Sequence, residues 1–329
     1  MTDMYNMVMK FPELLTAVKI NQETQDTCVR LGDEGIDGIL IVGMGGSAIS
    51  GLYVQGLLHA TSTVPIVVNR DYTLPAYVDS RWVTIAISYS GNTEETLTAY
   101  EHAIDRDCPT FTLTSGGQLS KKENTLGKIM LPSNYQPRAV FPAIFSSVLN
   151  LVQSLLGKMP SALDTIGNNL SEMAKKWEAS SLSPKVMAQD LSETVPIFIG
   201  SRHLIPVAYR AKCQINENAK GLAFYSVLPE ANHNEIEGFV KGHSFDFMPI
   251  FLRSSYEDKR ISQRFDITSS IYESEGYTPI RLSVGSSNMV EEMLAMTFYL
   301  DWMSTELAEI KGVNPTSVER ISTLKEKLK

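Results

Sequence analysis

From Arg81 to Tyr100 the pattern of the chain changes twice over a short distance. Trp82, Val83, Ile85 and Ile87 form an apolar run rich in β-branched and aromatic side chains, which suits a buried strand. Ser88, Ser90, Gly91, Asn92 and Thr93 then arrive together, and Leu97, Tyr100 and Ile104 continue at helical spacing. Asn92 with Glu95 three residues on has the form of a capping box, so a helix is expected to begin near Thr93. An earlier stretch, GILIVGMGGSAISGLYVQGLL, repeats this order with a strand over 38–42, a glycine turn and a helix from about Ser47. Further short apolar runs predict strands over 64–68, 83–87, 110–113 and 129–131. Strands alternating with helices imply a parallel sheet covered on both faces. Ahead of it, residues 1–35 read as helical, with Phe11, Leu14, Leu15 and Val18 on the apolar side.

At Val195 the opening pattern returns. VPIFIGSRHLIPVAYRAKCQINENAK is again an apolar strand, a Gly-Ser turn and a long helix. Strands over 247–252 and 278–284 and helices over 258–275 and 289–310 follow, with a short helix after Pro315. The halves share a layout but little identity, which predicts an internal duplication. The expected fold is α/β, with two tandem doubly wound parallel-sheet domains over 1–151 and 194–329. A helical connecting segment over 152–193 joins them.

Composition narrows the function. At 329 residues the chain is long enough for two moderate domains. Its net charge of −8 comes with no basic block, so DNA or RNA binding is not expected as its main task. Cys28, Cys108 and Cys213 lie far apart without a CxxC pair, which argues against a disulfide framework or a structural zinc and fits a reducing compartment. The N-terminus has neither a signal-peptide nor an anchor pattern, and no apolar run reaches spanning length, so a soluble cytoplasmic protein is expected.

Two stretches could hold an anion. A helix N-terminus after a glycine-containing turn offers unpaired N–H groups and a positive dipole end, and hydroxyls add neutral donors. Gly45, Gly46 and Ser47 form one such turn; Ser88, Ser90 and Thr93 form the other. GMGGSA also fits the dinucleotide fingerprint, but the acidic partner expected at the next strand end is missing: Asn69 and Arg70 stand there, and Asp71 comes late. Either turn alone reads equally well as ordinary capping. Two at the carboxyl ends of parallel strands would converge on one crevice, where open α/β sheets bind ligands.

The loops GMGGSAISG and SYSGNTEET resemble those of the sugar isomerase (SIS) domain, a doubly wound unit that binds phosphosugars. Two such units in tandem, with NENAK followed later by NHNE, resemble the bifunctional phosphoglucose/phosphomannose isomerase family over nearly the whole chain. The resemblance implies an aldose–ketose isomerase that interconverts glucose 6-phosphate, and mannose 6-phosphate as well, with fructose 6-phosphate through a cis-enediol. No metal or redox cofactor is implied.

The resemblance also assigns roles. Glu217, in NENAK, stands near the end of a helix, where a solvated carboxylate is the ordinary reading; the dipole there favours its protonated form, as suits a base working at neutral pH. It is implied as the base that carries a proton between C1 and C2. His233, in NHNE, is implied as the ring-opening histidine, a transfer suited to imidazole, and as reaching the site from the partner subunit of a homodimer. His203 and His243 are rival histidines that fall outside the family motif. Lys311 closes the last long helix, where lysine before glycine is common punctuation; the family places a sugar-contacting lysine there that assists ring opening. Arg138 is the candidate cation over the enediolate. Ser304 and Thr305 are alternatives for a small hydroxyl near C2–C3. The rival functions are a glucosamine-6-phosphate-type isomerase, a phosphosugar-binding regulator without catalysis and a nicotinamide oxidoreductase.

Overall fold

The N-terminal stretch forms three short helices, α1 (Asp3–Met9), α2 (Phe11–Leu14) and α3 (Gln22–Glu34), where one lead-in helix was expected. Asn21 caps α3 by accepting from the Thr24 N–H at 2.8 Å, which fixes a fresh start after the break. The computed structural model describes residues 3–328. It divides the chain into a first unit, Lys10–Asn169, and a second that runs from Leu170 onward and takes in α1.

In the first unit follow β1 (Gly38–Gly43), α4 (Gly46–Leu58), β2 (Ile66–Asn69), β3 (Trp82–Ile87), α5 (Glu94–Asp105), β4 (Thr110–Thr114), β5 (Gly127–Met130) and α6 (Phe141–Leu155). The sheet is wholly parallel in the order β2-β1-β3-β4-β5. Every residue of β1 and β3 is buried, because both faces are covered. Alternate side chains of β1 serve opposite layers: Leu40 and Val42 pack with Ala99 and Ala103 of α5, while Ile41 lies against Gly51 of α4. Phe141 of α6 meets Tyr53 of α4 edge-on at 4.8 Å.

The expected connecting segment carries α7 (Leu163–Glu178) and α8 (Pro184–Asp190), and the division between units falls within α7. The second unit continues with β6 (Val195–Gly200), α9 (Ile205–Asn218), β7 (Phe224–Val227), β8 (Phe247–Leu252), α10 (Lys259–Ser274), β9 (Ile280–Leu282), α11 (Met289–Ile310) and α12 (Glu319–Lys327). Its sheet is parallel in the order β7-β6-β8-β9. Ile199 and Phe251 pack with Ile261, Phe265 and Tyr272 of α10, and α9 packs on α11. Trp177 faces Phe298 and Tyr299 of α11, and the Tyr299 hydroxyl donates to the Leu182 carbonyl at 2.8 Å. Among the described residues no helix is long and apolar enough to cross a membrane.

Cys28 and Cys108 are buried in the first unit. Burial pushes the Cys28 thiol up to about 12 and raises Cys108 and Cys213 as well. Since the thiolate is the nucleophile, we expect native protein at pH ~8 to react with DTNB far more slowly than denatured protein. Rapid reaction of all the thiols in the folded state would contradict this.

Candidate active site

The carboxyl ends of β1 and β3 lie level, with Gly43 paired to Ile87. A Cβ on Gly43 would stand 3.0 Å from the Ile87 carbonyl oxygen and 3.0 Å from the Ser47 side chain. The two candidate turns therefore open side by side. The chain leaves β1 for β2 on one side and β3 for β4 on the other, so the pair marks the topological switch point of the sheet, the place where such folds bind ligands. The segment entering α6 comes to the same spot: a Cβ on Gly46 would lie 3.5 Å from the Pro137 carbonyl and 3.7 Å from the Arg138 Cα. Arg138 itself is buried. Gly45, Gly46, Ser47, Ser88 and Arg138 are thus gathered at one end of the first sheet.

Within the second turn, the Ser88 and Thr93 hydroxyls hydrogen-bond at 2.9 Å, and the Thr93 N–H donates to Ser88 Oγ at 3.4 Å. Ser90 accepts from the Asn92 N–H at 3.3 Å. Gly91 has φ +69°, and a Cβ there would stand 1.8 Å from the Gly116 carbonyl, so only glycine fits. The expected capping box does not form. The N-cap of α5 is Thr93, with no side-chain cap, because its hydroxyl pairs with Ser88 while Asn92 Oδ1 accepts from the Gln118 N–H at 3.0 Å. The turn is braced from the neighbouring loop, and the first turn of α5 is left uncapped by these side chains.

In the second unit Glu217 is the penultimate residue of α9 and is half-buried. The polar residues around it hold the turn. Asn216 Nδ2 donates to the Gly221 carbonyl at 2.8 Å. Asn218, fully buried, donates to Ser304 Oγ of α11 at 2.8 Å. Lys220, at φ 52°, donates to the carbonyls of Glu217 and Ser317. Below this, Ser304 donates to the Asp301 carbonyl at 2.6 Å, and the Asp301 carboxylate takes a bidentate bond from buried Arg210, at 3.1 and 2.6 Å. Asn216, Asn218, Asp301 and Arg210 escaped the sequence reading; the asparagines stood in NENAK, but the partner of Asn218 is 86 residues away.

Lys311 caps the C-terminus of α11. Its ammonium nitrogen would lie 3.2 Å from a Cβ on Gly221, which puts it beside the turn that Glu217 precedes. Ser304 is bonded to the residue after Glu217, whereas the Thr305 hydroxyl donates at 2.8 Å to the Trp302 carbonyl of its own helix. Ser304 is therefore the hydroxyl at the end of α9.

His233 sits on a short 3-10 helix, Glu230–His233, after β7 and is exposed. Its neighbours are fastened: Asn232 donates to Thr268 Oγ1 at 2.8 Å and accepts from Arg264 at 3.2 Å, and Asn234 donates to Glu230 at 3.1 Å. The imidazole is presented outward from a braced loop. Of the rival histidines, His243 is exposed and bonds the Gly238 carbonyl at 2.8 Å, while His203 is buried against Glu292 at 2.8 Å.

Comparison with known proteins gives three findings. Residues 182–328 match the model of the bacterial phospho-glucose isomerase C-terminal SIS domain. A bifunctional phosphoglucose/phosphomannose isomerase of Aquifex aeolicus is 34% identical over 89% of this chain and 90% of its own length, and one of Caldicellulosiruptor bescii is 34% identical over 99% and 98%. Among solved structures, the C-terminal domain of glucosamine-fructose-6-phosphate aminotransferase from Francisella tularensis superposes with a TM-score of 0.73 at 16% identity, covering 94% of this chain and 96% of that one. That likeness is one of fold, the tandem doubly wound SIS architecture.

Proposed function

The chain belongs to the bifunctional phosphoglucose/phosphomannose isomerase family, and from that premise we propose how its residues carry out the reaction. It is an aldose–ketose isomerase that interconverts glucose 6-phosphate and mannose 6-phosphate with fructose 6-phosphate. The observation that carries the assignment to this molecule is the brace around Glu217, in which Asn216, Asn218 and Lys220 all hold the backbone on either side of one carboxylate.

In the proposed scheme Gly45, Gly46, Ser47, Ser88, Ser90 and Thr93 hold the phosphosugar, its phosphate lying at the uncapped first turn of α5. His233 and Lys311 open the ring, His233 moving a proton from the C1 hydroxyl to the ring oxygen. Glu217 takes the proton from the carbon next to the carbonyl, and Arg138 stabilises the negative oxygen of the enediolate. Glu217 then returns the proton to the neighbouring carbon. Delivery to either face of C2 gives the two aldoses, and the small hydroxyl of Ser304 leaves room for that choice. The outward presentation of His233 supports its use across a homodimer interface, and three widely spaced cysteines without a CxxC pair fit a cytoplasmic enzyme.

Fructose 6-phosphate incubated with the purified protein should yield both glucose 6-phosphate and mannose 6-phosphate. Failure to form either aldose would overturn the assignment, and formation of glucose 6-phosphate alone would remove the dual specificity. Ser88→Ala should raise KM about tenfold or more, because a hydroxyl donor to a charged group is lost, with a smaller change in kcat, since the phosphate is held alike in ground and transition states. An unchanged KM would place the phosphate elsewhere.

A further inference from the structure

The two sheets share a plan. β6, β7, β8 and β9 correspond in order and direction to β1, β2, β3 and β4, so the second unit has its own switch point, between the carboxyl ends of β6 and β8. In the first unit that place holds hydroxyl-bearing turns and Arg138, from the segment that enters α6. In the second it holds His203, just past β6, and Ser254 and Ser255, just past β8. The helix that closes this sheet, α11, sends in Glu292 from its first turn.

Glu292 is fully buried. One oxygen, Oε2, receives the Ser254 hydroxyl at 2.5 Å and lies 2.8 Å from His203 Nε2; the other, Oε1, receives the Ser255 N–H at 2.8 Å. Burial pushes the carboxyl up, but the bonds from His203, Ser254 and Ser255 outweigh it and hold the group below its ordinary range. The arginines at these strand ends face carboxylates of the same unit, Arg202 to Asp258 and Arg253 to Glu257 and Asp266. The trio is not set up as a nucleophile relay. Ser254 donates to the carboxylate, and its oxygen lies 3.3 Å from the same imidazole nitrogen that faces Glu292, whereas a relay uses the two ring nitrogens in turn.

We infer that the switch point of the second unit is a formed seat for a small oxyanion, filled by the chain's own Glu292 carboxylate and built from His203, Ser254 and the Ser255 N–H. The duplicated fold thus keeps two anion seats, of which one is closed from within. The ligand class is a carboxylate, with phosphate as the tetrahedral alternative. Removing the Glu292 side chain opens the seat to a free anion of that class.

The test is thermal unfolding of the full chain, read in acetate, in phosphate and in chloride at matched ionic strength. Glu292→Ala should melt roughly 3–8 °C below the wild type. Acetate or phosphate should then raise its Tm saturably and by more than the same anion raises that of the wild type. The extra shift should vanish in Ser254→Ala/Glu292→Ala. Equal shifts in variant and wild type, or shifts no larger than chloride gives, would overturn the inference. Glu292→Gln guards against an Ala variant that does not fold: its amide fills the space and cannot accept from all three donors, so it should melt low without rescue. Wild-type stability in Glu292→Gln would equally overturn the seat. Because the readout is stability, its failure is separate from any failure of the isomerase assay.

Discussion

Glu217→Gln should lower turnover of fructose 6-phosphate about a hundredfold to ten-thousandfold, the range that a positioned base contributes, with little change in affinity for the phosphosugar. The substitution keeps the side chain's size and removes its ability to take a proton. The turn will not shift to compensate, because Asn216 ties it to Gly221, Asn218 to α11 and Lys220 to the carbonyls of Glu217 and Ser317. In the proposed scheme affinity is set mainly at Ser88, Ser90 and Thr93, which the change leaves untouched. Steady-state kinetics with direct binding of fructose 6-phosphate measure both quantities. Near-wild-type turnover would show that the base is another residue; loss of binding would show that Glu217 contacts the ground-state sugar.

Asp301→Ala should destabilise the protein by about 3–5 kcal/mol, the cost of removing one partner of a buried ion pair. Arg210 is among the largest fully buried side chains, and its guanidinium meets the Asp301 carboxylate through two bonds. Both residues lie inside the packing of α9 on α11. The backbone carbonyl of the same residue accepts from Ser304, the acceptor for Asn218, and is kept in the alanine variant, so the loss is confined to the ion pair. Denaturant unfolding gives the stability. A change below about 1 kcal/mol, ordinary for a surface site, would mean that the pair contributes little to the fold.

Much of the architecture was legible in the sequence because the apolar runs are long and their boundaries well marked. The strand expected over 247–252 is β8, and the helix expected over 289–310 is α11. The strand and helix around Ser88 appear within a residue of where the pattern put them. β7 was missed since Phe224 and Tyr225 are exposed and the strand is short, which leaves no apolar run to detect. The capping box failed for another reason. Asn92 and Thr93 have the right types, but Gln118 and Ser88, residues not adjacent to them in the chain, claim their side chains.

The site divides in the same way. The turns at Gly45 and Ser88 were readable because the chemistry is local: glycine, hydroxyls and a helix start. Their nearness to Arg138 came only with the fold. Ser304 and Thr305 have the same chemical type and adjacent positions, so sequence alone left them open; the fold adds that Ser304 also accepts from Asn218, while both hydroxyls donate back to carbonyls of their own helix. The Glu292 seat was invisible for the same reason, since His203 and Glu292 are 89 residues apart.

Proton transfer by a half-buried carboxylate is the central claim, and isomerisation in D2O tests it most directly. Fructose 6-phosphate converted by the wild-type protein should give glucose 6-phosphate and mannose 6-phosphate that both carry deuterium at C2, because a proton held on Glu217 exchanges with solvent during the life of the enediolate. Products and recovered fructose 6-phosphate that both stay free of carbon-bound deuterium through many turnovers would contradict the account, since a proton passed through Glu217 exchanges in some fraction of turnovers, whereas a hydride shifted directly between the carbons never does.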